Sequence, residues 1–348
     1  MKKLLILDGI GGVPLGREMA DSFIVNGVQT SHLDCAKLPK IRFYNLRSAV
    51  AKLINRAHQQ ESFYHLPRLD INQFSSYLEK EQPTHILVIG FIYKFIEPRL
   101  LAKLCQCMNC KIYLYDTDSC NLYAKRREFI FFLEQELPIY QEIFSFSKVT
   151  TYFFRHTKKL NASHFPFGAK PIGNLQSNDK VYDVLFVGSG DLRRIFLLEH
   201  IKEFVNIFGN RWKRNFPITS VELQQRIEDI PLWGDALYDH LKQSKIVLNI
   251  TRTHFYAAET GVNLRIFEAL AGGCFLLTDY CEEVVELFDE GIEIETFSSA
   301  KELKQKVEYY LANPDKREEI AKRGHEKFMK LYTWDIRVSK LSQDMHLT

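Results

Sequence analysis

The sequence predicts an α/β protein of two Rossmann-like, doubly wound domains that face each other across a cleft. Three observations predict it. Short apolar strands alternate with segments of helical spacing, the strands KLLILDG and VYDVLFVGSG each run into glycines, and one polar stretch, residues 169 to 180, separates two similar halves. The length of 348 residues agrees, since at about 150 residues per domain it exceeds what a single core usually supports.

The elements follow in order. KLLILDG (3 to 9) is a buried strand, GREMADSFIVNG (16 to 27) has helical spacing closed by glycine, and VQTSHLDC returns as a strand. HILVIGF (85 to 91), the helix EPRLLAKLCQCMN and KIYLYDTDS (111 to 119) make a second unit of this kind, and EIFSFS (142 to 147), the helix KVTTYFFRHT and ASHFPFG (162 to 168) a third. AKPIGNLQSNDK is polar and aperiodic, which suits a linker. The pattern then restarts with VYDVLFVGSG (181 to 190), the helix LRRIFLLEHIKEF, the strand VNIFG, the helix DALYDHLKQS and the strand KIVLNIT (245 to 251). NLRIFEALAGG is helical, CFLLTD is a strand, and residues 300 to 332 form two charged helices split at Asn313-Pro314. The expected division is 1–172 for the first domain, 181–326 for the second, and 327–348 as a final helix packing back on the first.

Composition narrows the function. With 46 Lys+Arg against 43 Asp+Glu the net charge is only +3, which argues against nucleic acid as a partner. The N-terminal apolar run breaks at Asp8 and reads as a strand, and the greasiest segment, REFIFFLEQELPIY, carries Glu128, Glu134 and Glu136, so no transmembrane segment is expected. Seven cysteines without an export signal fit reduced thiols in the cytoplasm. Cys105, Cys107 and Cys110 lack paired metal-ligand spacing and read as core thiols.

In open α/β sheets, ligands bind beyond the carboxyl ends of the strands. Two turns fit: DGIGGVPLG (8 to 16) and GSGDLRR (188 to 194), the second with Arg193 or Arg194 near a helix start to meet a diphosphate or to lie on a solvated face. Neither turn is a clean GxGxxG, so a plain tight turn and a phosphate site both remain open. Asp8, Gly11 and Gly12 shape the first turn. Glu268 is an isolated acid on the helix NLRIFEALAGG; it suits a pair of ribose hydroxyls, or a surface ion pair with Arg265. Asp116 and Asp118 end a strand and either orient an acceptor hydroxyl or cap the next turn; Asp116-Thr117-Asp118 has the letters of a metal motif without its loop. His254, in a loop after a strand, is a tunable proton donor or a polar surface residue. Tyr238 and Trp233 stack on a base or pack under their own helix, and Trp334 reads as core.

NLRIFEALAGGCFLLTDY and the segment from ELFDEGIEIETF to YTWDIR, with DVLFVGSGDLRR and GDALYDHLKQSKIVLNIT, resemble the donor-binding domain of the CgeB-like, spore-maturation-type glycosyltransferases, which have the glycosyltransferase-B fold. The likeness covers most of residues 181 to 338, and in the first half lies mainly in YDTDS and EIFSFSKVTTYFFR. It implies a nucleotide-sugar donor in the second domain, with Glu268 on the ribose, the Gly188–Gly190 backbone and Arg193 near the diphosphate, Arg265 as a further phosphate contact, and Gly272 and Gly273 allowing close approach. Larger relatives carry an acid eight positions before the ribose glutamate. Thr260 stands there, with Glu259 one residue away.

The expected reaction moves a sugar from a nucleoside diphosphate to a hydroxyl acceptor, with no metal and no cofactor. The candidate catalytic residues are His254, Arg193 and Asp118. The donor side is Gly188, Gly190, Arg193, Arg265, Glu268, Glu259, Asn263 and Gly272, and the acceptor side Asp8, Gly11, Gly12 and Asp116. Competing readings are a dinucleotide-dependent dehydrogenase, a nucleotide-binding regulator of the same fold that has lost catalysis, and a phage-type sugar transferase acting on nucleic-acid bases.

Overall fold

The computed structural model describes residues 2–10, 12–57, 63–172 and 180–347, so Gly11 and most of the expected linker, 173–179, lie outside the described residues. Two compact units divide the chain: Met1–Pro166 with Val338–Thr348, and Phe167–Arg337.

The first unit holds a sheet of β1 (Lys3–Asp8), β2 (Gln29–Asp34), β3 (His85–Ile89), β4 (Lys111–Asp116), β5 (Glu142–Ser145) and β6 (Ala162–His164) in the order β2-β1-β3-β4-β5-β6. Every pairing is parallel. Leu4, Leu5, Ile6 and Leu7 are all fully buried, because a parallel sheet covered on both faces needs a continuous apolar run rather than an alternating one. Strand order reverses between β1 and β3.

The second unit repeats the design with β7 (Tyr182–Val187), β8 (Val205–Phe208), β9 (Ile227–Glu228), β10 (Ser244–Asn249), β11 (Leu276–Asp279) and β12 (Glu295–Phe297). Their order is β12-β11-β10-β7-β8-β9, again all parallel. Here the reversal falls between β7 and β10.

Most expected helices are present and shorter than their patterns. The first runs Leu15–Val25, ended by Gly27 at φ +79°, and the fourth-strand helix runs Pro98–Cys107 behind Glu97, whose carboxylate accepts the N–H groups of Arg99 and Leu100. LRRIFLLEHIKEF is helical only over Leu192–Leu198, with a 3₁₀ turn to Ile201. The charged pair is Ala300–Ala312 and Pro314–Leu331, split at Asn313-Pro314 as the ring of Pro314 requires. REFIFFLEQELPIY bends through an α segment, a π turn (Phe132–Glu136) and a 3₁₀ turn. Among the described residues, two helices longer than ten residues stand where the sequence pattern proposed none, Tyr44–Ala57 and Ile71–Glu81, the second capped by Asp70. Cys105 and Cys110 are buried, but Cys107 is exposed on its helix, and all seven cysteines are free thiols. Trp334 is fully buried.

Candidate functional site

The strand-order reversal of the second unit sets β7 beside β10, with chains leaving for opposite faces of the sheet, which is where open α/β sheets bind ligands. Strand ends from β7, β10 and β11 meet there on one ion pair. Asp279 closes β11 and is 1 % exposed; it accepts the Thr251 N–H at 3.0 Å and the Thr251 hydroxyl at 2.9 Å. Arg193 Nη1 donates to Asp279 Oδ2 at 2.6 Å and to the Thr251 carbonyl at 2.9 Å. Its guanidinium carbon lies 3.6 Å from the centre of the Tyr256 ring. Of the five N–H donors of a guanidinium, those on Nε and Nη2 meet no acceptor among the described residues. Arg193 is therefore a fixed cation with donors to spare.

Asp191 braces the same corner. It caps the helix Leu192–Leu198 through the Arg194 N–H at 3.3 Å and accepts the Thr253 N–H at 3.0 Å and the Thr253 hydroxyl at 2.9 Å. Burial pushes its carboxyl up, but the Thr253 hydrogen bonds and the Arg194 charge outweigh that and hold it below its ordinary value. Of the two arginines, Arg194 points inward. Its Nε and Nη2 both donate to the Ile250 carbonyl, at 2.9 and 2.7 Å, and Nη1 to the Ser189 carbonyl at 2.8 Å. Burial and the neighbouring Arg252 charge bring its pKa down to about 9, so it stays charged at neutral pH.

Two of the three N–H groups of the Gly188–Gly190 turn are engaged within the protein. Gly188 and Gly190 donate their N–H groups to the carbonyls of Phe208 and Asn210, each at 2.8 Å, which leaves neither for a diphosphate. A Cβ on Gly190 would lie 2.8 Å from the Arg211 carbonyl, and one on Gly188 3.0 Å from the Phe186 ring. Both glycines answer to the protein's own packing.

Glu268 lies on the helix Leu264–Ala271, 5 % exposed, with Arg265 Nη1 2.8 Å from its Oε2. The i,i+3 pair anticipated from spacing exists, but it is buried rather than on the surface. Asn263 is the cap of this helix: its side chain accepts the Arg265 N–H at 3.1 Å and donates to the Gly261 carbonyl at 3.2 Å. The helix opens beyond the carboxyl end of β11, because Gly261 packs so closely on Cys281 that a Cβ would sit 2.5 Å from the cysteine Cβ. The first N–H groups of a helix have no intrahelical partner, so Leu264 offers its own at the ligand end. Gly272 and Gly273 stand at the other end, a helix length of roughly 12 Å away, beside Cys274, whose thiol contacts the Leu241 carbonyl. Gly272 ends the helix one turn past Glu268, and Gly273 serves the turn at φ +61°.

Thr260 is 1 % exposed, with its N–H on the Phe255 carbonyl at 3.0 Å, whereas Glu259 is exposed and held in left-handed backbone at φ +57°. His254 is exposed on the short helix Thr253–Tyr256. Trp233 is 42 % exposed and Tyr238 is buried.

In the first unit the acids turn inward. Asp8, 3 % exposed, accepts the Ile10 N–H at 3.0 Å and lies 3.4 Å from His32 Nε2, and its carboxylate fills the space that a Cβ on Gly16 would need. Gly12 has φ +81° with open space around it. Asp116 accepts the Ser119 N–H at 2.9 Å and the hydroxyls of Ser119 and Ser145 at 2.7 and 2.9 Å, which fixes it as a cap rather than as a group presented to an acceptor. Burial still raises its pKa. Asp118, half-buried, accepts the Asn121 amide at 2.6 Å and the Thr117 hydroxyl at 3.1 Å. Among the described residues no group of three or more His, Cys, Asp or Glu could hold a metal ion, and no helix is long and apolar enough to cross a membrane.

Sequence reasoning named Arg193 but missed Asp279, Thr251 and Tyr256, which hold it, and Asp191, which ties the adjoining helix start to Thr253. The available signal was polar residues at the carboxyl ends of CFLLTD and KIVLNIT, one strand apart.

Comparison with known proteins bears on this same stretch. Residues 193–343 match the glycosyl transferase-like family. That range begins at Arg193 and contains Asp279, Arg265 and Glu268. No curated protein matches the chain. Among solved structures, a sucrose-phosphate synthase from Thermosynechococcus elongatus superposes with a TM-score of 0.66 at 13% identity, covering 99% of this chain and 98% of that one. HepE of Anabaena, in complex with UDP and glucose, gives 0.66 at 12% identity over 100% of both chains. A glycosyltransferase from Rickettsia africae gives 0.58 at 11% identity over 98% and 97%. The likeness establishes the fold: two Rossmann-like domains of the glycosyltransferase-B type.

Proposed function

We propose that the chain is a glycosyltransferase of the CgeB-like kind, transferring a hexose from a nucleoside-diphosphate donor in the second unit to a hydroxyl acceptor, without a metal. The observation that carries this reading is Arg193, locked by Asp279 and Tyr256 at the strand-order reversal while two of its nitrogens keep donors unmatched among the described residues. The bond from the anomeric carbon to the diphosphate oxygen breaks as the bond to the acceptor oxygen forms, and the acceptor hydroxyl passes its proton to the departing diphosphate. Negative charge grows on the departing diphosphate. Arg193 and the N–H of Leu264 meet that charge from fixed positions, with no reorganisation needed at the moment of reaction. Glu268 takes the ribose hydroxyls, and Arg265 orients Glu268 through their ion pair. Glu259, exposed where Thr260 is buried, takes over the sugar hydroxyls, and His254, exposed on its short helix, is the candidate proton donor. HepE was solved with UDP-glucose, which makes UDP-sugars the first donors to try. Seven free thiols suit the reducing cytoplasm.

Thermal-shift measurements with a panel of nucleoside diphosphates and their sugars test the reading. A ligand well above its dissociation constant stabilises by about 3–4 kcal/mol. Glu268→Ala is expected to abolish the shift. A full shift in a folded Glu268→Ala chain removes the ribose role, and no shift with any nucleoside diphosphate removes the donor-site reading.

A further inference from the structure

The helix Tyr44–Ala57 is built inside out. Its inward stripe is Tyr44, Ser48 and the buried Ala51, while Leu46, Val50 and Leu53, with Phe43 just ahead of the helix, face solvent at 68, 49, 61 and 66 % exposure. Positions 43, 46, 50 and 53 recur at three and four residues, so they form one continuous stripe about 15 Å long, roughly opposite the buried one. Scattered exposed apolar residues are ordinary on a protein surface; a contiguous stripe of them is a contact surface.

Charge selects the partner. Between Asp34 and Glu61 the sequence carries Lys37, Lys40, Arg42, Arg47, Lys52 and Arg56 and no acid. The guanidinium of Arg42 lies 4.9 Å over the Phe43 ring, and Arg47 and Lys52 are exposed on the helix itself. The charged helices of the second unit differ, since Ala300–Ala312 and Pro314–Leu331 mix both signs and pair them, as in Arg323–Glu319 at 2.6 Å. An apolar stripe flanked by cations alone is complementary to a surface with an apolar interior beneath an anionic face.

We propose that the helix Tyr44–Ala57 docks the protein on the surface of an anionic lipid bilayer, with Phe43, Leu46, Val50 and Leu53 entering the headgroup–acyl boundary and the flanking lysines and arginines on the lipid phosphates. The helix lies in the plane of the interface; its 14 residues and its charges do not cross it. This inference is independent of the donor site.

Co-sedimentation of the full chain with vesicles tests it, using phosphatidylglycerol–phosphatidylcholine and pure phosphatidylcholine vesicles at low and high salt. Binding is expected to the anionic vesicles, with a fall on the order of tenfold in added salt or without the anionic lipid. Leu46→Glu with Leu53→Glu is expected to abolish it, and Arg47→Glu with Lys52→Glu to weaken it; all four positions are exposed, so circular dichroism should match the parent. In a Leu46→Trp chain, the added tryptophan fluorescence should shift to the blue and be quenched by brominated lipid. Absence of binding to anionic vesicles overturns the proposal, as does binding unchanged by both double variants. Concentration-dependent self-association that the Leu46→Glu, Leu53→Glu chain loses, without vesicle binding, assigns the stripe to a second copy of the protein and overturns it too.

Discussion

Where strand order reverses in the first unit, between β1 and β3, the ionisable side chains are turned to the interior and satisfied there. Asp8 and Asp116 hold turns, and Glu136, fully buried, accepts the N–H groups of Ile92 and Tyr93 at 3.0 and 2.8 Å and the Tyr140 hydroxyl at 2.9 Å, clamping the loop that leaves β3. At the equivalent place in the second unit one acid, Asp279, holds the Arg193 guanidinium as well as the Thr251 N–H, and the Nε and Nη2 donors of that guanidinium meet no acceptor among the described residues. The two sheets share topology and differ in what their carboxylates are tied to. Buried acids bonded to backbone make a rigid loop, whereas a buried acid bonded to an arginine makes a positioned charge.

The comparison predicts that the largest effect on turnover comes from the second unit. Arg193→Ala should lower kcat by about 10²–10³, the cost of removing one preorganised donor from a developing anion, and Arg193→Lys should recover only part of it. Initial rates with the donor identified by thermal shift decide this, and an Arg193→Ala chain with parental kcat breaks the contrast between the units.

Glu136 gives the first unit a pH signature. Burial raises its pKa from 4.5 to about 7 against the three hydrogen bonds it accepts. The folded chain therefore keeps a proton that the unfolded chain releases between about pH 4.5 and 7, so stability falls as pH rises through that window, by about 3 kcal/mol in all, and stays lowered above it. Denaturant unfolding at pH 5 and pH 8 should show this fall in the parent and a smaller one in Glu136→Gln. Equal falls in both would assign the titration elsewhere.

Smaller effects separate the glycines that follow the first strand of each unit. Gly190→Ala should destabilise by about 2–3 kcal/mol, because its new Cβ meets the Arg211 carbonyl, a backbone atom that cannot step aside. Gly12→Ala, in open space at φ +81°, should cost only the left-handed backbone strain of about 1 kcal/mol. Midpoints of urea unfolding rank the two.

How much of this was legible follows from the range of each interaction. The strand–helix alternation, the Asn313-Pro314 break and the Arg265–Glu268 pair are local, and they stand in the sequence. Arg193 and Asp279 are 86 residues apart and meet only because β7, β10 and β11 are neighbours, so no spacing rule reveals them. The glycines of GSGDLRR looked like a phosphate cradle because sequence shows the absence of a side chain and not what fills the gap; Phe186, Arg194, Arg211 and Asn215 fill it. The helix Tyr44–Ala57 has no acid in its first turn, so a usual start signal is missing from the sequence.

The first unit is completed by the far end of the chain. Val338, Leu341 and Met345 are fully buried in a unit whose other residues precede Phe167. During synthesis the early half must leave the ribosome and wait for about 170 further residues before its last apolar helix arrives, a delay of roughly 10–30 s at about 5–20 residues per second. The nascent segment is accordingly the stage at which a chaperone has most to cover, and the second unit, contiguous in sequence, can finish first.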